Sequence, residues 1–176
     1  MTGRQVLRCL GVIVVTLLVQ TTLGLDLRVF GAHPDLMVLL PIAAGLAAGP
    51  EEGAAVGFAA GIAIDLFLPT PFGLSALVYC LVGFGVGYST RAMDRSVGWL
   101  APGAALAGSA AAVMLYAVLG AVLGQESMLD TDLGAIVAVV AIVNAVLAPF
   151  AVRLMRWALG TAEGSRSRVT AIGGRW

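Results

Sequence analysis

Nine of the ten arginines fall on one side of a string of apolar segments, and a soluble protein would have no reason to sort its charges this way. Counting segments from the N-terminus, Arg4, Arg8, Arg91, Arg95, Arg153, Arg156, Arg166, Arg168 and Arg175 share a side, and only Arg28 lies on the other. Cytoplasmic loops of membrane proteins carry the excess of Lys and Arg, so the nine predict the cytoplasmic face. Both termini then lie inside. The acids Asp26, Asp35, Glu126, Asp130 and Asp132 fall outside, but acidic residues say little about orientation.

Composition agrees. Of the 176 residues, 60% are hydrophobic and 11% charged, and mean hydropathy is +0.99. Soluble domains carry about 25% charged residues. The 23 glycines suit membrane helices that pack closely. Net charge is zero, so no basic field draws nucleic acid. Cys9 and Cys80 stand far apart along their segments, which argues against a disulfide, and two cysteines alone do not make a metal site. The first apolar segment reads as a retained span and not as a signal peptide.

A spanning helix needs about 20 mostly apolar residues. Six segments approach that, at about 5–25, 34–49, 51–68, 71–90, 98–123 and 133–158. The expectation is an all-α integral membrane protein: a polytopic domain over 1–160 and a polar, Arg-rich, disordered cytoplasmic tail over 161–176. Pro34 and Asp35 suit a first helical turn, and Pro41 suggests a kink or a dip. Short links at 50–52 and 69–71 make neighbouring helices antiparallel. Tyr88, Trp99 and Trp157 fit an inner aromatic belt.

Chemistry-bearing residues are few. His33 reads as an interfacial residue at a helix start. No Ser/His/Asp set, carboxylate pair or phosphate-cradling loop is recognisable, so neither enzyme activity nor a cofactor or metal is expected. Asp65 is the one acid well inside a span, and an intramembrane carboxylate is costly. Gly53, Gly57, Gly61 and Asp65 recur every four residues and form one helical stripe, where glycines let another helix approach. Two roles for Asp65 stand open: a proton, cation or partner site, or an acceptor for backbone N–H groups in the turn from Thr70 to Gly73. Gly45/Gly49, Gly83/Gly87 and Gly120/Gly124 repeat the spacing as packing candidates. Gln20, Thr21, Thr22 and Asn144 are candidates for hydrogen bonds between helices.

Pro34-Asp35-Leu36, then Gly57-Phe58-Ala59-Ala60-Gly61, then Asp65-Leu66, Pro71, Gly73-Leu74 and Val82-Gly83-Phe84 follow one another in an order that resembles the rod-shape-determining MreD family. The resemblance covers residues 30–90; elsewhere only length and hydrophobicity match. It implies a small non-enzymatic subunit of the elongation machinery (elongasome) for lateral peptidoglycan, in the cytoplasmic membrane. The implied partners are a bitopic MreC-like protein, the actin-like MreB, and a RodA-type glycosyltransferase with its transpeptidase. It also implies a fold similar to the six-helix substrate-binding subunits of energy-coupling-factor transporters. The residues carried over are Pro34, Asp35, Gly57, Gly61, Asp65, Pro71 and Gly73, with no catalytic role attached, and Gly53 stands beside them as a packing residue of the same stripe. The tail arginines 166, 168 and 175 could each contribute about 1 kcal/mol beside anionic lipid.

Two functions compete. One is a scaffold for cell-wall elongation, meeting its partner through glycine-striped helix surfaces and through turns around Phe30–Asp35 and Pro69–Gly73, with Phe30 and Phe72 as contacts. The other is a small-molecule-binding subunit of a transporter. That role needs polar and aromatic side chains converging on a cavity near the outer face, and a small-residue face on the first helix. The first helix is bulky and the outer loops lack Trp, which favours the scaffold.

Overall fold

The computed structural model describes residues 1–23, 35–68, 71–91, 93, 98–124 and 133–161. Among the described residues the structure is all-helical. Six α-helices follow in order: α1 (Gly3–Leu23), α2 (Leu39–Ala48), α3 (Pro50–Asp65), α4 (Leu74–Ser89), α5 (Leu100–Val122) and α6 (Leu133–Ala158). Three of them, α1, α5 and α6, are long and apolar enough to cross a membrane. At 1.5 Å per residue, α2 is only about 15 Å long and α3 and α4 about 24 Å each, against a hydrocarbon core of about 30 Å. Length alone therefore supports three crossings, and six spans do not follow from it. Phe30, His33, Pro34, Pro69, Thr70, Arg95 and the tail over 162–176 lie outside the described residues.

The short helices form the centre. From Met37 to Ala47 every residue is buried, because α2 is enclosed by α3, α4, α5 and α6. This corrects the expectation that the second helix opens at Pro34 and Asp35. Asp35 and Leu36 precede a turn at Met37–Val38, and the helix starts at Leu39. Pro41 falls in the first turn of α2 and not in its interior. It occupies the third position of α2, where a backbone N–H has no partner inside the helix.

A single residue joins α2 to α3. Gly49 has φ 122° and ψ −177°, a conformation open essentially to glycine, and Pro50 starts the next helix. The Gly49 amide donates to the Gly45 carbonyl at 3.0 Å, and the Gly53 amide donates to the Gly49 carbonyl at 3.0 Å, so the turn leaves both groups satisfied.

Hydrophobic burial does not drive helices together in lipid; close packing and hydrogen bonds do. Here α3 and α4 pack antiparallel in one fixed register. A Cβ on Gly61 would strike the Ala76 backbone, one on Gly57 the Tyr79 carbonyl, one on Gly53 the Gly83 carbonyl, and one on Gly87 the Pro50 Cα at 2.6 Å. α2 joins the same seam: a Cβ on Gly45 would lie 2.6 Å from the Gly83 oxygen. The glycine spacing carries two different meanings, however. Gly49 and Gly124 are turn residues with positive φ, not packing positions.

The helices alternate in direction. Gly45, Pro50 and Gly87 meet at one end of the bundle, and Val38, Ile64, Ser75, Ala117 and Ile136 line a cavity toward the other. At the N-terminus of α1, the Gln5 side-chain amide donates to the Leu159 carbonyl at 2.6 Å, and Arg8 donates to the Trp157 carbonyl at 3.3 Å. The five described arginines, Arg4, Arg8, Arg91, Arg153 and Arg156, thus stand on helix ends away from the cavity. Tyr88, Trp99 and Trp157 share those ends and are exposed. Arg8 lies 4.9 Å from the centroid of a Trp157 ring and Arg91 5.8 Å from that of Tyr88.

Candidate functional site

Two carboxylates organise the end opposite the arginines. The first, Asp65, closes α3. Its Oδ2 accepts the Gly73 amide at 2.9 Å and the Ala76 amide at 3.3 Å, and its Oδ1 accepts the Ser75 amide at 3.2 Å. The first turn of a helix presents amides without partners and the positive end of the helix dipole, so a carboxylate placed there from outside stabilises it. Gly73 precedes α4 with φ 95°, a left-handed conformation suited to glycine. Asp65 is 4% exposed. Of the two roles open to it in sequence, the capping contact is the one the geometry contains. It reaches further than the turn, because Ser75 and Ala76 already belong to α4.

The second carboxylate, Asp35, sits ahead of α2 and is part-buried. Its Oδ1 accepts the Met37 amide at 3.1 Å, which closes an Asx-type turn, and the Gln20 side-chain amide at 3.2 Å. The Tyr79 hydroxyl donates to Oδ2. The Gln20 Oε1 accepts the same Met37 amide at 2.9 Å. The backbone carbonyl of Asp35 accepts Asn144 Nδ2 at 3.0 Å, and that nitrogen also donates to Ser109 Oγ at 2.9 Å. One residue thereby ties α1, α2, α4 and α6 together, with α5 added through Ser109. Asn144 is fully buried, and its Oδ1 has no hydrogen-bond partner among the described residues.

Between these groups lies a cavity of about 300 Å³. Gln20, Asp35, Ser75, Tyr79 and Tyr116 supply its polar wall, and Val38, Val78, Val113 and Val140 belong to its apolar wall. A groove of about 480 Å³ lies between α4 and α5 toward the arginine end, lined by small and apolar residues such as Gly85, Gly103 and Ala107.

The residues singled out in sequence therefore divide. Gly53, Gly57, Gly61 and Asp65 form the α3–α4 seam, Gly73 is capped by Asp65, and Asp35 belongs to the second network. Pro71 is half-buried and Phe72 exposed beside the capped turn. Pro34 and Phe30 fall outside the described residues. Gln20 and Asn144 do bond between helices, whereas the Thr21 hydroxyl bonds back to Leu17 at 2.9 Å in its own helix. Tyr79, Ser109 and Tyr116 were not legible as site residues, since a lone Tyr or Ser in an apolar span carries no signal until a partner faces it. Nor was the cavity, which weakens the contrast drawn against a small-molecule-binding subunit.

Among the described residues no three of His, Cys, Asp and Glu gather as metal ligands, and Cys9 and Cys80 are free thiols. No protein-family model, curated protein or solved structure matches the chain.

Proposed function

We propose that this chain is a non-enzymatic membrane subunit that holds another membrane protein, an MreC-like bitopic partner of the bacterial cell-wall elongation machinery. MreB and a RodA-type glycosyltransferase with its transpeptidase stand as further neighbours. The family reading rests on the ordered motifs from Pro34 to Phe84. The observation that supports a holding role is the α3–α4 turn. Asp65 holds the Gly73 amide, and Leu66, Phe67 and Phe72 are left exposed beside it. Three large apolar side chains presented beside a capped helix start suit contact with a partner's juxtamembrane segment. The stripes of Gly53, Gly57 and Gly61 and of Gly83 and Gly87 do not serve this purpose, since they are filled by contacts within the chain.

The proposed placement is the cytoplasmic membrane, with six crossings and both termini inside. It is supported by the alternating helix directions and by the gathering of the described arginines on the same ends. Helices shorter than the hydrocarbon core can still cross where the protein surrounds them or the bilayer thins, and α2 is so surrounded. Depletion in a rod-shaped host tests the role: cells should round or bulge. Unchanged rods would remove the elongation reading.

The cavity favours a second reading, a small-molecule-binding subunit of an energy-coupling-factor type transporter. Uptake of a vitamin that depends on this chain, with cell shape unaffected by its loss, would select it.

A further inference from the structure

Asp35 lines the cavity among the six helices, and the described groups that hold it are neutral: the Gln20 amide, the Tyr79 hydroxyl and the Met37 backbone amide. None of the five described arginines is near, since all stand on helix ends away from the cavity. Neutral donors orient a carboxylate without cancelling its charge. In a setting of low polarity such a charge draws a cation strongly. The rest of the wall is mostly aliphatic, including Val78, Val113, Ile136 and Val140. A volume of about 300 Å³ suits a small compact molecule.

We propose that this cavity binds a compact apolar amine. Its ammonium pairs with Asp35 and its hydrocarbon body packs on Val113, Ile136 and Val140. Tyr79 and Tyr116 on the same wall add rings of the kind that attract ammonium groups. An anion would meet the Asp35 carboxylate. A sugar would leave most of its hydroxyls facing aliphatic side chains. A divalent metal would find a single carboxylate among the described lining residues. The site does not depend on the scaffold reading, and its failure would leave that reading untouched.

The test uses the purified full chain in detergent and three cage compounds of matched shape, followed by calorimetric titration against a protein-free detergent blank. The probes are 1-adamantylamine, 1-adamantanol and 1-adamantanecarboxylate. The expected result is saturable binding of the amine with one site per chain, at least tenfold tighter than the alcohol, and no binding of the carboxylate. Asp35→Asn should erase the preference for amine over alcohol. Val140→Phe, which adds bulk to the apolar wall, should abolish binding of both. The order of the three probes on the unmodified chain decides the matter even if a variant fails to fold. Equal binding of amine and alcohol would overturn the proposal, as would amine uptake unchanged by Val140→Phe. Amine binding that emerges only after Arg28 and His33 are replaced would also overturn it, because the chain would then supply its own cation.

Discussion

Asp65 and Gly73 are joined across the α3–α4 turn by a 2.9 Å hydrogen bond from the Gly73 amide to the Asp65 carboxylate. The same carboxylate takes the amides of Ser75 and Ala76, so the end of one helix caps the start of the next. Gly73 and the start of α4 are thereby held from inside the protein, and Phe72 stands exposed beside them.

Substitution of Asp65 should follow the number of amides left without an acceptor. Asp65→Asn keeps one oxygen, but its NH2 group then faces a backbone N–H. A loss of about 1–2 kcal/mol is expected. Asp65→Leu strands all three amides and should cost about 3–5 kcal/mol, with much less protein in the membrane. Thermal unfolding in detergent checks the order. Asn as harmful as Leu in a protein that stays folded and abundant would point to a role for the charge itself.

Glycine substitutions should separate by position. Gly57→Ala and Gly61→Ala place a methyl group on backbone atoms of α4, which must move away, at about 1–3 kcal/mol or more. Gly85→Ala meets nothing within 4 Å and should be neutral or slightly stabilising. Melting temperatures of the three variants decide this, and equal effects at 57 and 85 would refute the seam.

Asn144 and Ser109 should be coupled. Asn144→Ala removes donors to Ser109 and to the Asp35 carbonyl, and should cost about 1–3 kcal/mol. Ser109→Ala should cost about 1 kcal/mol or less, because Asn144 keeps its bond to Asp35. In a double-mutant cycle the pair should be non-additive, and strict additivity would mean the bond contributes nothing.

Accessibility of single cysteines tests the membrane arrangement. Positions Thr70 and Met128 should label from outside, while Glu52, Arg95 and Ser165 stay protected. External labelling of Arg95 or Ser165 would remove the six-crossing arrangement.

Much of the helical plan was legible because hydropathy and glycine spacing are local signals. The stripe of Gly53, Gly57 and Gly61 could be read as a contact surface, and so could that of Gly83 and Gly87. That the two stripes face each other could not, since pairing depends on the turn that Asp65 closes. The start of α2 was misplaced because Asp35 reads as a first-turn residue, whereas its carboxylate caps the Met37 amide ahead of the helix. The cavity stayed hidden for a similar reason. Gln20, Asp35, Tyr79 and Tyr116 come from four distant parts of the chain and form one wall only after packing.

The central claim is that this chain works by holding a membrane partner. Affinity capture of the tagged full chain from mildly solubilised membranes, with the co-purified proteins identified by mass spectrometry, tests it most directly. Capture by the unmodified chain should recover an MreC-like bitopic protein in near-equal amount, and Phe67→Ser with Phe72→Ser should deplete it without lowering the bait. Recovery of an ATPase-linked transporter core in its place would contradict the claim.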